Sequence, residues 1–381
     1  MKIFKVAFPL MTAILLVTGC GNKQTAFSTD GLEAIYIPEY AEGFSLYAYG
    51  DGVILEINKP WQGADSSSGI MYFLSNGDEP APEGFNGETI KLPLKKVVSM
   101  SSSYSAFLEA LSVGDLIKGV SGTGFISSPK LQELIQAGDI RDVGYDNAIN
   151  FEVLLDISPD VIFTYGVNGE NTSLSTKAKE LGMKTVYIGE YLESSPLGKA
   201  EWIMVFGEMT GRRELAGEIF STIAEEYNEA KRTVENLEHK PSVILNSSWR
   251  DTWFVPGDRN YMVQLINDAG GDYICKGEDT QDSRPISTEN AYLYALKADF
   301  WLNPGSADSV GELISDNPNF SEIPAVKEGK VYNNNARKTP AGGSDFWESG
   351  AVYPHIILKD LIKILHPDSL SNHELYFYKQ L

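Results

Sequence analysis

Cysteine and histidine are scarce in this chain, and their scarcity limits the chemistry it can support. Of its 381 residues, two are cysteine and four are histidine. The histidines do not stand at metal-ligand spacings from each other or from a cysteine, which argues against a zinc-type site. Cys275 has no partner in the body of the chain. We expect it to be a small buried side chain rather than a nucleophile.

Positive charge and long apolar runs are also in short supply. The chain carries 31 Lys and Arg against 52 Asp and Glu, a formal net charge of −21. Such an excess of acid repels phosphate backbones, so we expect no nucleic-acid partner. Beyond the N-terminus, no segment approaches the roughly 18 consecutive apolar residues of a membrane-spanning helix. The 43% hydrophobic content is nevertheless ample for packed cores.

Enzyme signatures are missing as well. The sequence has neither a Gly-x-Ser-x-Gly elbow nor a Gly-x4-Gly-Lys phosphate loop, and it has no clustered His, Cys and Asp set. We therefore expect no enzyme, no cofactor and no metal centre. A lipid-anchored surface hydrolase stays as an alternative, although the many paired carboxylates are simply what an acidic composition produces.

The N-terminus carries a targeting pattern. Lys2 and Lys5 precede a short apolar run, Phe8 to Thr18, which ends at Gly19-Cys20. This order resembles a bacterial lipoprotein signal, which implies cleavage of residues 1–19 and acylation of Cys20. An ordinary signal peptide or a buried helix would also fit. The prediction is an extracytoplasmic protein anchored by lipid to a membrane, with residues 20–31 as a polar tether.

The remaining chain divides by its hydrophobic pattern. Residues 32–94 contain short alternating runs broken by Gly, Pro and Asp, which predict a β-rich extension. Residues 95–196 and 240–368 alternate strands with helices, as in parallel sheets covered by helices. Residues 197–239 have apolar residues at helical spacing and predict a linking helix, continuous from Leu215 to Leu237 with a break near Gly211. A tail, 369–381, follows.

The two α/β halves contain a weak internal repeat. Glu152 opens a helix that ends before Asp160 and an apolar strand, and Glu289 opens one that ends before Asp299 and another strand. The two spacings differ by two residues, so the repeat is weak. The fold class is therefore α/β, with two mainly parallel lobes joined by a long rigid helix and preceded by a β-rich extension.

These features together resemble the substrate-binding proteins of ABC transporters for cobalamin and iron–siderophore or haem. The resemblance covers about residues 95–367 and is carried by 96–100, Glu152 with 158–163, the linking helix, 344–348 and 354–358. It implies a helical-backbone (class III) binding protein with ligand held between two lobes. It also implies delivery to a permease and its ATPase. We expect a monomer, and residues 32–94 lie outside the usual pattern.

The resemblance also implies one permease-docking glutamate on each lobe. By position these are Glu152 and Glu289, although Glu278 or Asp282 could serve instead of the latter. Exposed carboxylates would fix the register of docking on permease arginines. Both acids would equally suit the positive end of a helix dipole.

A large planar ligand needs aromatic walls and a few polar anchors. The candidates at strand-to-helix turns are Ser102, Tyr104, Phe125, Tyr165, Trp249, Arg250, Trp253, Arg337 and Trp347. Tyr165 and Trp347 fall where members of the family contact ligand. Catecholate siderophores would call for more basic residues, so the sequence favours cobalamin over siderophore or haem. A zinc or manganese carrier is the alternative within the same class.

Overall fold

The computed structural model describes residues 27–65, 68–77, 79–145, 148–167, 169–170 and 172–381. The predicted lipid-anchor residue, Cys20, lies outside these ranges. The N-terminal extension forms a five-stranded sheet in sequential order. Its strands are β1 (Ala34–Tyr36), β2 (Phe44–Tyr49), β3 (Gly52–Ile57), β4 (Ile70–Asn76) and β5 (Glu88–Leu92).

Short strands are confirmed for this extension, but their pairing is not antiparallel throughout. The turn between β2 and β3 has two residues, and its first, Gly50, adopts a φ of +55° that suits glycine. The β4 and β5 strands pair in parallel, because the connection between them crosses back before β5 begins.

The N-terminal lobe is a parallel sheet with helices between its strands. Its elements are β6 (Val97–Ser99), α1 (Ser102–Ala110), β7 (Ile117–Val120), α2 (Pro129–Ala137), β8 (Arg141–Asp142), α3 (Phe151–Ile157), β9 (Val161–Thr164), α4 (Thr172–Glu180) and β10 (Thr185–Tyr187). The strand order is β10-β9-β6-β7-β8. Central strands such as β9 are buried along their whole length, as continuous apolar runs require.

Three helices connect the lobes: α5 (Pro196–Glu201), α6 (Ile203–Thr210) and α7 (Arg213–Arg232). Every residue of α6 is buried, whereas α7 is amphipathic and keeps its apolar stripe on the core. The predicted break is present, since Gly211 ends α6 with a φ of +69°. The long helix is confirmed, although it ends five residues before Leu237.

The C-terminal lobe has two sheets. Its elements are β11 (Ser242–Leu245), β12 (Ser248–Trp249), β13 (Thr252–Pro256), α8 (Tyr261–Asp268), β14 (Asp272–Tyr273), β15 (Ser283–Ser287), α9 (Thr288–Ala295), β16 (Phe300–Leu302), α10 (Val310–Asp316), α11 (Pro324–Lys327), β17 (Val331–Asn333), α12 (Pro354–Leu365) and β18 (Lys379–Gln380). The main sheet, β14-β11-β16-β17-β18, is parallel except for β18. A small antiparallel sheet, β12-β13-β15, is an addition that the sequence pattern did not predict.

One continuous apolar core runs through the extension, both lobes and the connecting helices. The extension joins it where the Phe44 ring lies 5.0 Å from the ring of Trp202, which is fully buried at the start of α6. A smaller cluster beneath α3 and α4 completes the N-terminal lobe. The predicted α/β architecture with a β-rich extension is therefore confirmed.

Candidate ligand cleft

Strand order places a crevice in each lobe. In the N-terminal lobe the order reverses between β6 and β9, and in the C-terminal lobe between β11 and β16. Open α/β sheets bind ligands outside the carboxyl ends of their strands at such reversal points. Ser102 begins α1 just after β6, and Tyr165 directly follows β9. Both are half-buried, and both lie at the reversal point of their lobe.

The carboxyl edges of the two sheets face each other. The loop after β7 meets the loop after β17, where Thr339 Oγ1 donates to the carbonyl of Gly124 at 2.7 Å. A Cβ on Gly124 would lie only 3.0 Å from that of Ala341. Nearby, the backbone N–H groups of Ser127 and Ser128 donate to the Glu348 carboxylate at 2.6 and 3.0 Å. These contacts close one side of an interlobe cleft.

Exposed aromatic rings stand on both edges. On the N-terminal lobe, Phe125 is 42% exposed and Tyr145 is 55% exposed, with their ring centroids 6.4 Å apart. On the C-terminal lobe, Trp347 is 50% exposed and rests against Phe346 and Tyr261. Several exposed aromatic rings gathered at one cleft are typical of a ligand-binding groove. Tyr145 was missed by sequence reasoning, which took no account of the two-residue strand β8.

Trp249 and Arg250 occupy the tip of a hairpin that follows β11. Arg250 and Asp251 have φ values of +49° and +64°, the left-handed conformations that a two-residue type I′ turn demands. The guanidinium of Arg250 lies 4.5 Å from the centroid of the Trp249 ring. The hairpin thus places an exposed indole and a cation at the carboxyl edge of the main C-terminal sheet.

Two of the predicted contact residues are core residues in the structure. Tyr104 is 1% exposed and donates its hydroxyl hydrogen to the Ile188 carbonyl at 3.0 Å. Trp253 is fully buried, donates from Nε1 to the Leu245 carbonyl at 2.8 Å and stacks on Trp301. Each belongs to the packing beneath the cleft and reaches no open surface. Sequence spacing alone does not distinguish an aromatic residue buried beneath the cleft from one that lines it.

Arg337 faces a different crevice. Its Nε lies 2.7 Å from Asp345 Oδ2, and its guanidinium stacks 4.3 Å from the ring centroid of Tyr376. The surrounding crevice, of about 240 Å³, is also lined by Glu109 and Tyr353, so it lies beside α1. The structure therefore does not bring Arg337 together with the aromatic rings of the cleft.

A small, mainly apolar cavity of about 30 Å³ lies where the lobes meet, with Trp347 and Tyr261 in its lining. Glu190 is 3% exposed there, and its Oε1 accepts from Ser103 Oγ at 2.7 Å. Among the described residues, its Oε2 has no hydrogen-bond partner. Burial raises the pKa of Glu190 and lowers the pKa of Lys199, whose Nζ lies 4.7 Å from the Tyr261 ring centroid. Sequence reasoning missed this charged pair, since its two members are nine residues apart.

The predicted docking acids are both exposed. Glu152 and Glu289 are the second residues of α3 and α9, which each lead into a parallel strand. Such helices run antiparallel to the strand, so both N-termini lie toward the cleft edge. The backbone N–H of Glu289 and the side chain of Ser287 lower the pKa of Glu289.

The two alternative docking acids have other partners. Glu278 lies 3.4 Å from Arg284, and Asp282 accepts a hydrogen bond from Gln62. Cys275 is 2% exposed, and burial raises its pKa to about 11, as suits an inert thiol.

The described residues provide neither a metal site nor a membrane-spanning helix. No group of three or more His, Cys, Asp or Glu side chains there could hold a metal ion. None of the helices in the same part of the chain combines the length and apolar character needed to cross a membrane.

With this geometry in place, comparison with known families is informative. Residues 97–337 match the family model of the periplasmic binding proteins. The chain belongs to this family. The family model begins at β6 and therefore leaves out the N-terminal extension.

Two relatives carry informative names. An uncharacterized lipoprotein of Methanocaldococcus jannaschii is 28% identical over 90% of this chain and 84% of its own length. An uncharacterized ABC transporter substrate-binding lipoprotein of Bacillus subtilis is 21% identical over 64% of this chain and 74% of its own. Both relatives are named as lipoproteins, and the second is also named as a substrate-binding protein of an ABC transporter.

Two solved structures share the fold. A periplasmic heme binding protein from Pseudomonas aeruginosa has a TM-score of 0.57 at 18% identity and covers 75% of this chain and 98% of its own. A triscatecholate siderophore binding protein from Bacillus subtilis has a TM-score of 0.57 at 16% identity, covering 74% and 95%. At these identities the likeness shows the fold alone.

Proposed function

We propose that this protein captures a large metal-containing ligand outside the cytoplasm and delivers it to an ABC permease driven by its ATPase. The observation that carries the proposal is the pair of facing sheet edges, each bearing half-exposed aromatic rings: Phe125 and Tyr145 on one, Trp249 and Trp347 on the other. Flat macrocycles and metal chelates bury large apolar faces against such rings.

Charge favours one ligand class within this group. Three cations of the C-terminal lobe already pair with acids: Arg259 with Asp279, Arg284 with Glu278, and Lys338 with Asp308. Arg250 stacks on the Trp249 ring. A ferric tris-catecholate, which is highly anionic, would compete with these carboxylates. We therefore propose cobalamin as the first ligand to test, ahead of haem and ferric siderophores.

The test is thermal unfolding of the mature protein with cobalamin, haemin and a ferric tris-catecholate, followed by titration calorimetry of any compound that acts. A ligand at 100 times its Kd adds about 2.7 kcal/mol to the free energy of unfolding and raises the melting temperature measurably. We expect the largest rise with cobalamin. If none of the three raises the melting temperature, the proposed ligand class is wrong.

We also propose that lipid on Cys20 holds the protein at the membrane. The support is the order of charge, apolar run and cysteine in the first 20 residues, together with the names of the relatives. Cys20→Ala should move the protein from the membrane fraction to the soluble fraction, whereas Cys275→Ala should leave it in place. Equal membrane association of both variants would refute the anchor.

A further inference from the structure

The N-terminal extension is fixed rigidly to the rest of the molecule. The fully buried carboxylate of Glu201 accepts hydrogen bonds from the backbone N–H groups of residues 39–41 at 2.7–2.8 Å and from the Tyr36 hydroxyl at 2.7 Å. Glu193 binds the next two N–H groups, those of Glu42 and Gly43. At the edge strand β10 of the N-terminal lobe, the N–H of Tyr187 donates to the hydroxyl of Tyr72 in β4 at 3.1 Å.

This attachment brings the connection between β3 and β4 to the cleft. Residues 58–65, called the wall loop below, lie against the carboxyl ends of β9 and β10. The backbone N–H of Gln62 donates to the Gly166 carbonyl at 3.1 Å, and the Trp61 ring lies 5.4 Å from the Tyr187 ring. A Cβ on Gly166 would meet the Cβ of Trp61 at 2.8 Å, so only glycine permits this approach.

The wall loop also reaches the opposite lobe. The side-chain Nε2 of Gln62 donates to Asp282 Oδ1, which belongs to the C-terminal lobe, at 3.1 Å. The loop therefore spans the cleft on the β10 side. The opposite side is closed by the contact of Gly124 with Thr339. The cleft is bounded on both sides, and Tyr165 with its neighbour Tyr191 lies beside the wall loop.

We propose that the wall loop forms a side wall of the ligand cleft and that Trp61 and Gln62 determine which ligands enter. The inference rests on the proposed function and adds a specificity element to it. A wall at this position limits the length of a ligand along the sheet edge. Asp282 beside Gln62 adds a negative charge that disfavours anionic groups at the ligand's periphery. The wall thus selects chelates whose length along the sheet edge is limited and which carry little peripheral negative charge.

Selectivity is measured with the full mature chain and three compounds of different size and charge: cobinamide, cobalamin and haemin. Trp61→Ala removes the indole, and Gln62→Ala removes the bridge to Asp282 while keeping the backbone bond to Gly166. We expect the ratio of the Kd values for the largest and smallest bound compounds to change by about tenfold or more in at least one variant. Unchanged ratios in both variants would overturn the proposal.

A second measurement needs no ligand. Cysteines at positions 62 and 282 should be joined by a short bis-maleimide, because the two side chains meet across the cleft. The matched control is the pair Gln62→Cys with Glu180→Cys. Glu180 is an exposed acid at the end of α4, on the edge of the sheet opposite the cleft, so this pair should stay unlinked. Failure of the first pair to link would overturn the wall.

The two measurements separate the two proposals. If no compound binds the wild-type protein, the proposed ligand class is wrong and the specificity claim fails with it, whatever the cross-link shows. If the compounds bind but neither variant alters their Kd ratios, the proposed function stands and the wall loop has no part in selection.

Discussion

At the scale of single residues, the same device occurs in both lobes. Asp160, just before β9, accepts from the backbone N–H groups of Lys95 and Lys96 at 2.7 and 2.9 Å. Asp299, just before β16, accepts from the N–H and hydroxyl of Ser242 at 2.8 and 2.7 Å. Each carboxylate fixes the start of the neighbouring strand. The weak sequence repeat therefore corresponds to a shared local structure, although the helix before each aspartate differs in length.

The aromatic contacts give the prediction at this scale. Trp347→Ala and Tyr165→Ala should each raise the Kd for the bound ligand about tenfold, because each loses an aromatic stacking face worth on the order of 1 kcal/mol or more. Calorimetric titration measures this directly. Tyr376→Ala, which removes a 39% exposed ring from the Arg337 crevice, is the control and should bind normally. Unaltered affinity in both test variants would mean that the cleft assignment is wrong.

At the scale of elements, buried carboxylates attach the N-terminal extension and the C-terminal tail. Asp360 in α12 is fully buried and accepts from the backbone N–H groups of residues 376–378 and from His373 Nε2. Glu201 in α5 likewise accepts from the backbone N–H groups of residues 39–41 and from the Tyr36 hydroxyl. In each case one carboxylate satisfies three consecutive backbone donors. A segment that forms no regular structure there is thereby held against the core.

Removal of either carboxylate should be costly. Glu201→Ala and Asp360→Ala should each lower the free energy of unfolding by about 3 kcal/mol, since several donors then lose their acceptor in a buried site. Urea denaturation supplies the number, and limited proteolysis should release the segment around residues 36–43 in the first variant. Glu180→Ala, which loses only an exposed ion pair with Lys177, should change stability by less than about 1 kcal/mol. A loss no larger than in this control would contradict the attachment.

The contact between Glu348 and α2 should depend on pH. Burial raises the pKa of Glu348 to about 7 from an ordinary 4.5, even though two N–H groups bind it. The folded state thus holds this proton more tightly than the unfolded chain. Its contribution to stability is full below pH 4.5 and is lost as the pH rises toward 7, by up to about 3 kcal/mol.

Urea unfolding of the wild type and Glu348→Gln between pH 4.5 and 7.5 measures this contribution. The stability of the wild type relative to the variant should fall with rising pH across this window. Glu180→Gln should show no such trend relative to the wild type. A difference that stays flat, or grows with pH, would show that Glu348 does not titrate in this way.

At the scale of the whole molecule, the connecting helices restrict lobe movement. The α7 helix is tied to the C-terminal lobe by Glu226 with Lys359 at 2.6 Å and by the Tyr227 hydroxyl with Asp268 at 2.7 Å. The interlobe contacts of Glu348 and Gln62 lie on other sides of the junction. We therefore expect small changes in lobe orientation on ligand binding, because a hinge would have to break several of these bonds together.

We propose that Glu152 and Glu289 dock the whole molecule on its permease. Glu152→Ala and Glu289→Ala should reduce ligand uptake by cells while leaving the Kd of the isolated protein unchanged, since both side chains are exposed and neither is among the aromatic rings proposed to contact ligand. Uptake and calorimetry are measured in parallel. Glu180→Ala, an equal loss of charge on another surface, controls for net charge. Normal uptake by both test variants would refute the docking role.

Sequence reasoning succeeded where the signal is local. The sequence pattern predicts helices over 151–157 and 354–365 and a strand over 300–302, and these bounds agree with α3, α12 and β16. Pro159 and Pro354 mark the helix boundaries, and Phe300 begins a short apolar strand. It missed the sheet of β12, β13 and β15, which pairs segments about 30 residues apart, one of which contains Pro285. Pairing between distant segments leaves no periodic trace in either one.

The sequence alone determined the α/β alternation and the long connecting helix, since helical and strand periodicities are properties of neighbouring residues. Its motifs, by their resemblance to a known family, also indicated two lobes. Only the tertiary structure decided which aromatic rings are exposed at the cleft and which are buried in the core. Tyr104 and Trp253 are buried while Tyr145 and Trp347 are exposed, because burial depends on what other segments pack against each ring. The same holds for the wall loop, which a distant extension brings to the cleft through buried carboxylates.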